Sequence, residues 1–298
     1  MVVLAVYNGK KWLGEQVNSI INQTDVDVTI AISIDPSTDG SEVLCHLLAS
    51  QYKNIIILPS AGKFGGAAKN FFRLIRDVDF SNFDYFAFAD QDDIWFEAKL
   101  FNAVSKLVET KSEAYSSNVI AFWDVSKKKL IKKSQPQREW DYLFEAAGPG
   151  CTYVITAKLA TEIKFLIVTN WIEVNKLGFH DWFCYAYARA KGFKWFIDSN
   201  PSMLYRQHVN NEVGANAGYK AFIYRFKKVS TGWSMAQSLL IAKLIGKHNS
   251  SFVKSWCGLG RYDFFKLAFN ANKCRRKPVD RLLFFCVCVL MSIIGFSK

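Results

Sequence analysis

The first 110 residues alternate between short apolar runs and longer segments with helical periodicity. Within residues 10–23, for example, Leu13, Val17 and Ile20 recur on one helical face. Strands that alternate with helices indicate an α/β fold with a mostly parallel central sheet flanked by helices. We predict strands at residues 2–6, 26–35, 54–58 and 85–90, and helices within residues 10–23, 41–51 and 62–78.

The pattern is less regular from residue 115 to residue 215. Turn residues and short apolar runs still mark several elements in this part of the chain. We predict a strand in 118–125 and an exposed loop or edge at 127–133. A turn, a short strand and the start of a helix follow in 148–160. We then predict a helix at 180–192, ending near Gly192, and one strand that leads into a polar loop over 195–211.

Positive charge is concentrated at the C-terminal end of the chain. Residues 219–298 hold 15 Lys and Arg and two acids, a net charge of +13. The first 218 residues hold 23 basic and 24 acidic residues, a net charge of −1. Such segregation indicates a partner for the basic part. We predict an α/β domain at residues 1–215 and a basic, aromatic-rich, helical extension at residues 216–298.

The extension ends in an apolar run, Leu282–Phe296, of 15 residues without a charge. A membrane-spanning helix needs about 20 apolar residues, so this run is short for a span. Basic and aromatic residues beside an apolar run are typical of a segment that docks on an anionic membrane surface, the interpretation that we favour. A buried core helix is the alternative. The chain has no nucleic-acid-binding motif, so we expect no nucleic-acid partner.

The seven cysteines have no spacing typical of metal sites or disulfide frameworks, which favours a reducing compartment. The chain opens on an apolar strand pattern, and no signal-peptide pattern is present there. Two nucleotide-binding motifs are also missing. These are the GxxxxGK[ST] of P-loop proteins and a GxGxxG in the first strand–helix turn.

Three acids follow the fourth predicted strand. In the segment YFAFADQDDIWF, residues 85–96, the carboxylates are Asp90, Asp92 and Asp93. A plain turn is one interpretation, because Asp is common where a strand ends. Carboxylates this close repel one another unless a cation lies among them. Mg²⁺ binds carboxylate oxygens and bridges to substrate phosphates, so we favour a site for a metal ion and a diphosphate.

Further polar side chains follow other predicted strands or open helices. They are Asp35, Lys69, Asn70, Asp181 and His208. Each has an ordinary explanation as a turn, capping or surface residue. The carboxyl ends of parallel strands meet at one edge of a sheet, however, so we expect these residues to converge on one crevice.

Several segments together resemble the family 2 glycosyltransferases, which use nucleotide sugars and have the GT-A fold. The segments are LAVYNGKKWLGEQVNSIINQT, STDGS, YFAFADQDDIWFEAKL, GCTYVITAKL, HDWFCYAYARAKG and YRQHVNN. The resemblance covers about residues 1–215. The FADQDDIW, HDW and YRQHVNN segments are most similar to the bacterial rhamnosyltransferase-like branch.

The resemblance implies roles for particular residues. Asp90 and Asp92 match the DxD pair of the family, the first near the donor ribose and the second on Mg²⁺ or Mn²⁺ together with His208. Asp181 matches the acid expected to be the catalytic base. The other residues implied on the donor side are Tyr7, Asn8, Asp35, Lys69, Asn70 and Gln91, and those implied on the acceptor side are Asp93, Trp95, Gly150, Cys151, His180 and Trp182.

Two departures from the family pattern remove acids. The family usually has two acids before the STDG turn, whereas this chain has Ile34 and then Asp35. The residue before Asp181 is His180, where the family usually has Glu; the rhamnosyltransferase-like branch shares the His.

We therefore predict an inverting, metal-dependent glycosyltransferase that acts in bacterial surface polysaccharide synthesis. A cation would stabilise the leaving diphosphate, and one carboxylate would deprotonate the acceptor hydroxyl. The expected partners are a nucleotide-diphosphate sugar, a lipid-linked saccharide acceptor and the cytoplasmic face of the bacterial inner membrane. The alternatives are a sugar-phosphate nucleotidyltransferase and an inactive, membrane-docked scaffold.

Overall fold

The structure, a computed structural model, describes residues 1–123, 127–208 and 231–295. The strands in these residues are β1 (Val2–Val6), β2 (Ile30–Ile34), β3 (Ile55–Ile57), β4 (Tyr85–Ala89), β5 (Ile94–Trp95), β6 (Ala114–Ser117), β7 (Val119–Phe122), β8 (Lys128–Ile131), β9 (Val154–Thr156), β10 (Trp195–Asp198) and β11 (Met203–Arg206). The helices are α1 (Lys10–Ile21), α2 (Ser41–Gln51), α3 (Ala67–Asp77), α4 (Lys99–Thr110), α5 (Ala157–Thr169), α6 (Trp171–Val174), α7 (His180–Ala190), α8 (Trp233–Leu244), α9 (Ser251–Lys254), α10 (Arg261–Phe269), α11 (Ala271–Cys274) and α12 (Pro278–Ile294).

The central sheet has seven strands in the order β10-β6-β9-β4-β1-β2-β3. β1 pairs in parallel with β2 and β4, β2 with β3, and β6 with β10, whereas β9 runs antiparallel between β4 and β6. The prediction of an α/β fold with a mostly parallel central sheet is confirmed. The carboxyl ends of β1, β2 and β4 lie side by side, which places the loops after them at one edge.

Two apolar layers cover the two faces of this sheet. Successive residues of a strand point to opposite faces, and β1 shows this directly. Val3 packs in one layer with α3, α5 and α7, while Val2 and Leu4 pack in the other with α1, α2 and α4. Helices thus flank both faces, as the alternating sequence pattern predicted.

A second sheet of four strands has the order β5-β11-β7-β8. Its edge strand β8 lies in the lysine-rich segment 127–133, which agrees with the predicted exposed edge. Lysines on an edge strand discourage pairing with another chain. The single strand predicted in residues 195–211 is wrong: β10 joins the central sheet, and β11 joins this second sheet beside β5 and β7.

The described C-terminal helices pack on the same core as the sheet. Ile241, Trp256, Leu267 and Met291 are buried in the layer that also holds α3, α5 and α7. The predicted boundary at residue 215 lies outside the described residues and stays a prediction. Among the described residues, no helix combines the length and the apolar character that crossing a bilayer requires.

A buried ion cluster also joins the C-terminal region to the sheet. The Asp141 carboxylate, which is fully buried, lies 3.0 Å from Arg189 Nη1 of α7 and 3.6 Å from Arg276 Nη1. The Arg276 amide donates to Glu145 Oε1 at 2.6 Å. Tyr185 Oη donates to Asp141 Oδ2 at 2.9 Å. Arg276 therefore fixes the 141–145 segment, which leads into the turn at Gly150.

Replacing Arg276 by Met will lower the free energy of unfolding by about 3 kcal/mol, because it leaves a buried carboxylate with one cation fewer. Chemical denaturation measures the difference. Lys273→Met is the control, since Lys273 pairs with Glu139 on the surface, and its loss should cost about 1 kcal/mol or less. Equal stability of the Arg276 variant and the unchanged chain would show that desolvation offsets this ion pair.

Candidate active site

The loop after β1 is bonded to the loops after β2 and β4. The Tyr7 amide donates to Gln91 Oε1 at 2.9 Å, and Gln91 Nε2 donates to the Tyr7 carbonyl at 2.8 Å. Asn8, in the left-handed region at φ +47°, accepts a hydrogen bond from the Thr38 amide at 2.8 Å. A Cβ at Gly9 would lie 2.1 Å from Gln91 Oε1, so a larger residue there would push the Gln91 side chain out of its bonds to Tyr7. Tyr7 and Asn8 are exposed on the resulting rim.

The acidic turn after β4, residues 90–93, separates its three acids by burial. Asp90 is half-buried, Asp92 is nearly buried, and Asp93 is fully buried. Asp92 Oδ2 lies 2.6 Å from His208 Nε2, which follows β11 in the other sheet. The structure therefore brings together the two residues that the sequence suggested as metal ligands.

The Asp92–His208 pair suits a divalent cation. A carboxylate oxygen and an imidazole nitrogen are both ligands for Mn²⁺, and Mg²⁺ favours the oxygen. Adjacent ligands of an octahedral ion lie about 3 Å apart, so the pair has to widen only slightly to admit one. Asp92 and His208 are thus the residues that would hold the metal ion.

A second group of possible ligands lies under the same turn. Ligand atoms of Asp90, Asp93 and Cys151 lie within 4.8 Å of one another. Burial raises the pKa of the Asp93 carboxyl and of the Cys151 thiol well above their usual ranges. Metal ligands bind in their deprotonated forms, so a cation that binds this group would have to displace those protons.

Asp93, Trp95 and Cys151 form the floor of the site. Lys99 is buried with them; its Nζ donates to the Cys151 carbonyl at 2.6 Å and lies 3.1 Å from the centroid of the Trp95 ring. Burial lowers the pKa of Lys99 to about 7. Asp93, Trp95 and Cys151 have almost no exposed surface in this structure. Their predicted contact with the acceptor stays a prediction.

Arg206 and Trp12 contact the acidic turn and His208, and the sequence patterns did not predict either contact. Arg206 Nε donates to the Asp92 carbonyl at 2.7 Å, and the Arg206 amide donates to Asp93 Oδ1 at 3.0 Å. Trp12 of α1 stacks on His208 with ring centroids 4.2 Å apart. Arg206 thus fixes the acidic turn, and Trp12 orients the imidazole. The position of Arg206 in the YRQH segment was a signal for it; Trp12 looked like any apolar helix residue.

The start of α7 lies against the turn at Gly150. A Cβ at Gly150 would lie 2.7 Å from His180 Nε2 and 3.0 Å from Asp181 Cβ. Cys151, the next residue, belongs to the group around Asp90. Asp181 and Asp90 therefore both lie next to the turn formed by Gly150 and Cys151. Asp181 is half-buried in the first turn of the helix, where the helix dipole favours negative charge.

Replacing Gly150 by Ala will lower turnover by about tenfold or more, because the added methyl displaces the start of α7 and a displacement near 1 Å can cost up to 10²-fold. Steady-state kinetics measure it. Gly14→Ala is the control, since no atom lies within 4 Å of a Cβ there. Unchanged turnover in the Gly150 variant would contradict the close coupling of this turn to Asp181.

His180 and Trp182 lie inside the protein. The His180 ring stacks on Phe71 with centroids 3.9 Å apart, and Trp182 Nε1 donates to the Tyr142 carbonyl at 2.9 Å. Burial lowers the pKa of His180 to about 3, so the ring is neutral near pH 7. Both side chains are buried and position the helix that carries Asp181. Their predicted contact with the acceptor stays a prediction.

Asp35 and Asn70, two of the residues predicted on the donor side, are buried behind the rim. The Asp35 carboxylate is buried and accepts hydrogen bonds from the amides of Phe64 and Gly65, at 2.8 and 3.0 Å. Asn70 is buried and donates to the Ser33 carbonyl at 3.1 Å. Asp35 therefore holds the loop at residues 64–65, and Asn70 holds α3 against β2. Their predicted roles on the donor side stay predictions. Lys69 is exposed in the first turn of α3, and its role on the donor side stays a prediction.

Comparison with known proteins identifies the family. The model for glycosyl transferase family 2 matches residues 1–214. The chain belongs to glycosyltransferase family 2. It is 46% identical over 288 residues to dTDP-rhamnosyl transferase RfbG of Shigella flexneri, covering 96% of this chain and 99% of that protein. It is 30% identical over 115 residues to the minor teichoic acid biosynthesis protein GgaB of Bacillus subtilis, covering 38% of this chain and 12% of that protein.

Solved structures show that this family 2 chain has the GT-A fold. S. aureus TarS 1-349 in complex with UDP has a TM-score of 0.56 at 13% identity, covering 100% of this chain and 92% of that one. The mannosyltransferase PcManGT of Pyrobaculum calidifontis, in complex with GDP-Man and Mn²⁺, has a TM-score of 0.52 at 13% identity. The match covers 99% of this chain and 87% of that one. The prediction of a family 2, rhamnosyltransferase-like enzyme is confirmed, and a nucleotidyltransferase is disfavoured.

Proposed function

We propose that this glycosyltransferase moves rhamnose from a dTDP-linked donor to a saccharide acceptor in the synthesis of a bacterial surface polysaccharide. The observation that carries the choice of donor is the 46% identity, over nearly the whole length of both chains, to a dTDP-rhamnosyl transferase. Two contacts support the transfer chemistry: the Asp92 carboxylate lies against His208, and Asp181 lies beside the turn at Gly150.

Asp181 acts as the base in an inverting transfer. Its carboxylate removes the proton from the acceptor hydroxyl as that oxygen attacks the anomeric carbon. The bond from this carbon to the diphosphate oxygen breaks on the opposite face, and the nucleoside diphosphate leaves with the electron pair. One positioned carboxylate is enough for a single displacement. Asp181 lies beside Gly150, and the next residue, Cys151, lies beside Asp90, so one short turn links the proposed base to the acidic turn.

The donor diphosphate binds beside Asp92 and His208. A Mg²⁺ or Mn²⁺ ion held by this pair would supply Lewis-acid stabilisation of the charge that builds up on the leaving group. The exposed rim residues Tyr7 and Asn8, with Gln91 behind them, face the nucleoside end of the donor. Arg206 keeps the acidic turn in position by its bonds to the backbone of Asp92 and the carboxylate of Asp93.

The acceptor is a lipid-linked saccharide at the cytoplasmic face of the bacterial inner membrane. The support is the charge of the C-terminal region, +13 over residues 219–298 against −1 in the rest. A strongly basic region attracts the enzyme to anionic lipid, where a lipid-linked acceptor is concentrated.

Product analysis tests the proposed reaction. The full chain is incubated with a lipid-linked saccharide and dTDP-rhamnose, UDP-GlcNAc or GDP-mannose in turn, and products are identified by mass spectrometry. We expect transfer of a deoxyhexose from the dTDP donor, inverted anomeric configuration by NMR, and loss of activity on chelation that Mn²⁺ or Mg²⁺ restores. Efficient transfer from the UDP or GDP donor instead would contradict the choice of donor, and a retained configuration would contradict the single displacement.

A further inference from the structure

We propose that one face built by α10 and α12 is the surface on which this chain docks, in the plane of an anionic lipid membrane. This docking face consists of Tyr262, Phe265, Phe269, Val279, Leu282, Leu283, Phe285, Cys286, Ile293 and Ile294, all of them exposed. The inference deepens the proposed function, because it names the surface and the partner that would bring the enzyme to a lipid-linked acceptor.

The two helices form one continuous surface. The Phe269 ring, at the end of α10, lies 6.0 Å from the Phe285 ring in the middle of α12, and 5.0 Å from Phe265. Arg261, at the start of α10, donates through Nη2 to the carbonyl of Ile294, at the end of α12, at 3.4 Å. α10 and α12 therefore run antiparallel, and their exposed aromatic and aliphatic side chains lie side by side.

These apolar side chains are strongly exposed and lie next to one another. Phe269 is 66% exposed, Leu282 64% and Ile293 67%. Along α12 the exposed positions Val279, Leu282 and Cys286 recur at intervals of three and four, the spacing of one helical face. From residue 282 to residue 295 this helix carries no charge. Contiguous apolar surface of this kind marks an interaction site.

Basic residues frame the docking face at both ends. Arg261 lies beside the end of α12, and exposed Lys277 lies just before its start. Arg281 lines the groove between the helices together with Phe269 and Leu282. Lys266 Nζ lies 4.3 Å from the centroid of the Tyr262 ring. An apolar stripe between basic ends matches a membrane interface, where apolar side chains enter the acyl boundary and cations meet lipid phosphates.

Charge and length favour a lipid surface over other occupants. Residues 231–295 contain ten Lys and Arg and two acids, so a second copy of the chain would bring like charges together. α12 has 17 residues, about 25 Å at 1.5 Å per residue, less than the thickness of about 30 Å that a bilayer core presents. If α12 lies in the plane of the membrane interface, the whole docking face contacts lipid.

Vesicle flotation of the full chain tests this inference. We expect the chain to float with vesicles of phosphatidylglycerol and phosphatidylethanolamine, and to float far less with pure phosphatidylcholine. The double variant Phe269→Glu with Leu282→Glu should partition at least tenfold less, since it puts two anions on the face. Arg261→Gln with Lys277→Gln should partition about thirtyfold less, since each basic residue near an anionic surface contributes roughly 1 kcal/mol and 1.4 kcal/mol is a factor of ten.

The matched control is Val43→Glu with Leu47→Glu on α2, where the two side chains are also exposed; its flotation should equal that of the unchanged chain. Two results would overturn the inference: a chain that ignores anionic vesicles, or an α10/α12 double variant that floats like the control. Loss of a dimer in that variant, seen by sedimentation, without any vesicle binding by the unchanged chain would assign the face to a second copy instead.

The outcome is independent of the proposed reaction, because flotation needs neither donor nor turnover. Transfer from dTDP-rhamnose to a detergent-dispersed acceptor should stay within about twofold in the double variant, as its changes are exposed and lie on α10 and α12. A chain that floats as expected but transfers no rhamnose would overturn the proposed function and leave the docking face standing.

Discussion

Replacing Asp181 by Asn will lower turnover by 10²- to 10⁴-fold while donor affinity stays close to that of the unchanged enzyme. The amide cannot accept the proton of the acceptor hydroxyl, and general-base catalysis contributes in this range. The side chain keeps its size, so the contact of α7 with Gly150 is preserved. Steady-state kinetics give the turnover, and calorimetry with the dTDP donor gives the affinity.

The control for this variant is Asp27→Asn, the same change at an exposed acid before β2, which should leave both quantities unaltered. Asp181 also accepts a hydrogen bond from the Trp182 amide at 2.7 Å, and Asn can accept the same bond. If the Asp181 variant lost donor affinity and stability together, a capping role would explain the residue and the assignment as base would fall.

Replacing Asp92 by Asn should abolish the dependence of donor binding on divalent cation and lower turnover by about 10³-fold. Lewis-acid stabilisation is worth several kcal/mol, and each 1.4 kcal/mol is a factor of ten. Asn removes the charge with little change of volume, and the Arg206 bond to the Asp92 backbone carbonyl remains. Calorimetric titration of donor at a series of Mn²⁺ concentrations measures the response.

His208→Gln provides a second arm of this experiment, since it removes the imidazole that lies 2.6 Å from Asp92. It should weaken the metal response without shifting the pattern of product formation. A wild-type response to metal in the Asp92 variant would move the cation to the group of Asp90, Asp93 and Cys151, and the fit of the Asp92–His208 pair would then be coincidental.

The sequence was most informative where a residue and its neighbours along the chain decide the structure. β1 and α2 have the bounds that the sequence pattern predicted. β1 is a continuous apolar run because both of its faces are covered, and the buried positions of α2 lie in one layer. β6, with the sequence AYSS, was missed, since buried serines give no apolar pattern. The antiparallel insertion of β9 between β4 and β6 was missed because pairing across about 40 to 70 residues leaves no local trace.

In the candidate site, too, local sequence predicted part of the arrangement and contacts distant in sequence decided the rest. The convergence of polar residues on the loops after β1, β2 and β4 was predictable from sheet topology. Which of them are exposed was not, because burial depends on contacts distant in sequence: Asp93 and Asp92 are neighbours, yet one meets the Arg206 amide inside the protein and the other meets His208. Arg206 went unassigned because its partners are more than a hundred residues away.

The ion cluster that joins the two parts of the chain limits how relatives can be recombined. A chimera that exchanges C-terminal regions to change membrane or acceptor preference would separate Arg275 and Arg276 from their partners in residues 141–145. The relative that supplies the new C-terminal region would have to carry both arginines. Otherwise the N-terminal part of the chimera would have to lose Asp141 and Glu145 at the same time. Within the family, these four positions should therefore be exchanged as one set, with the crossover placed before residue 141.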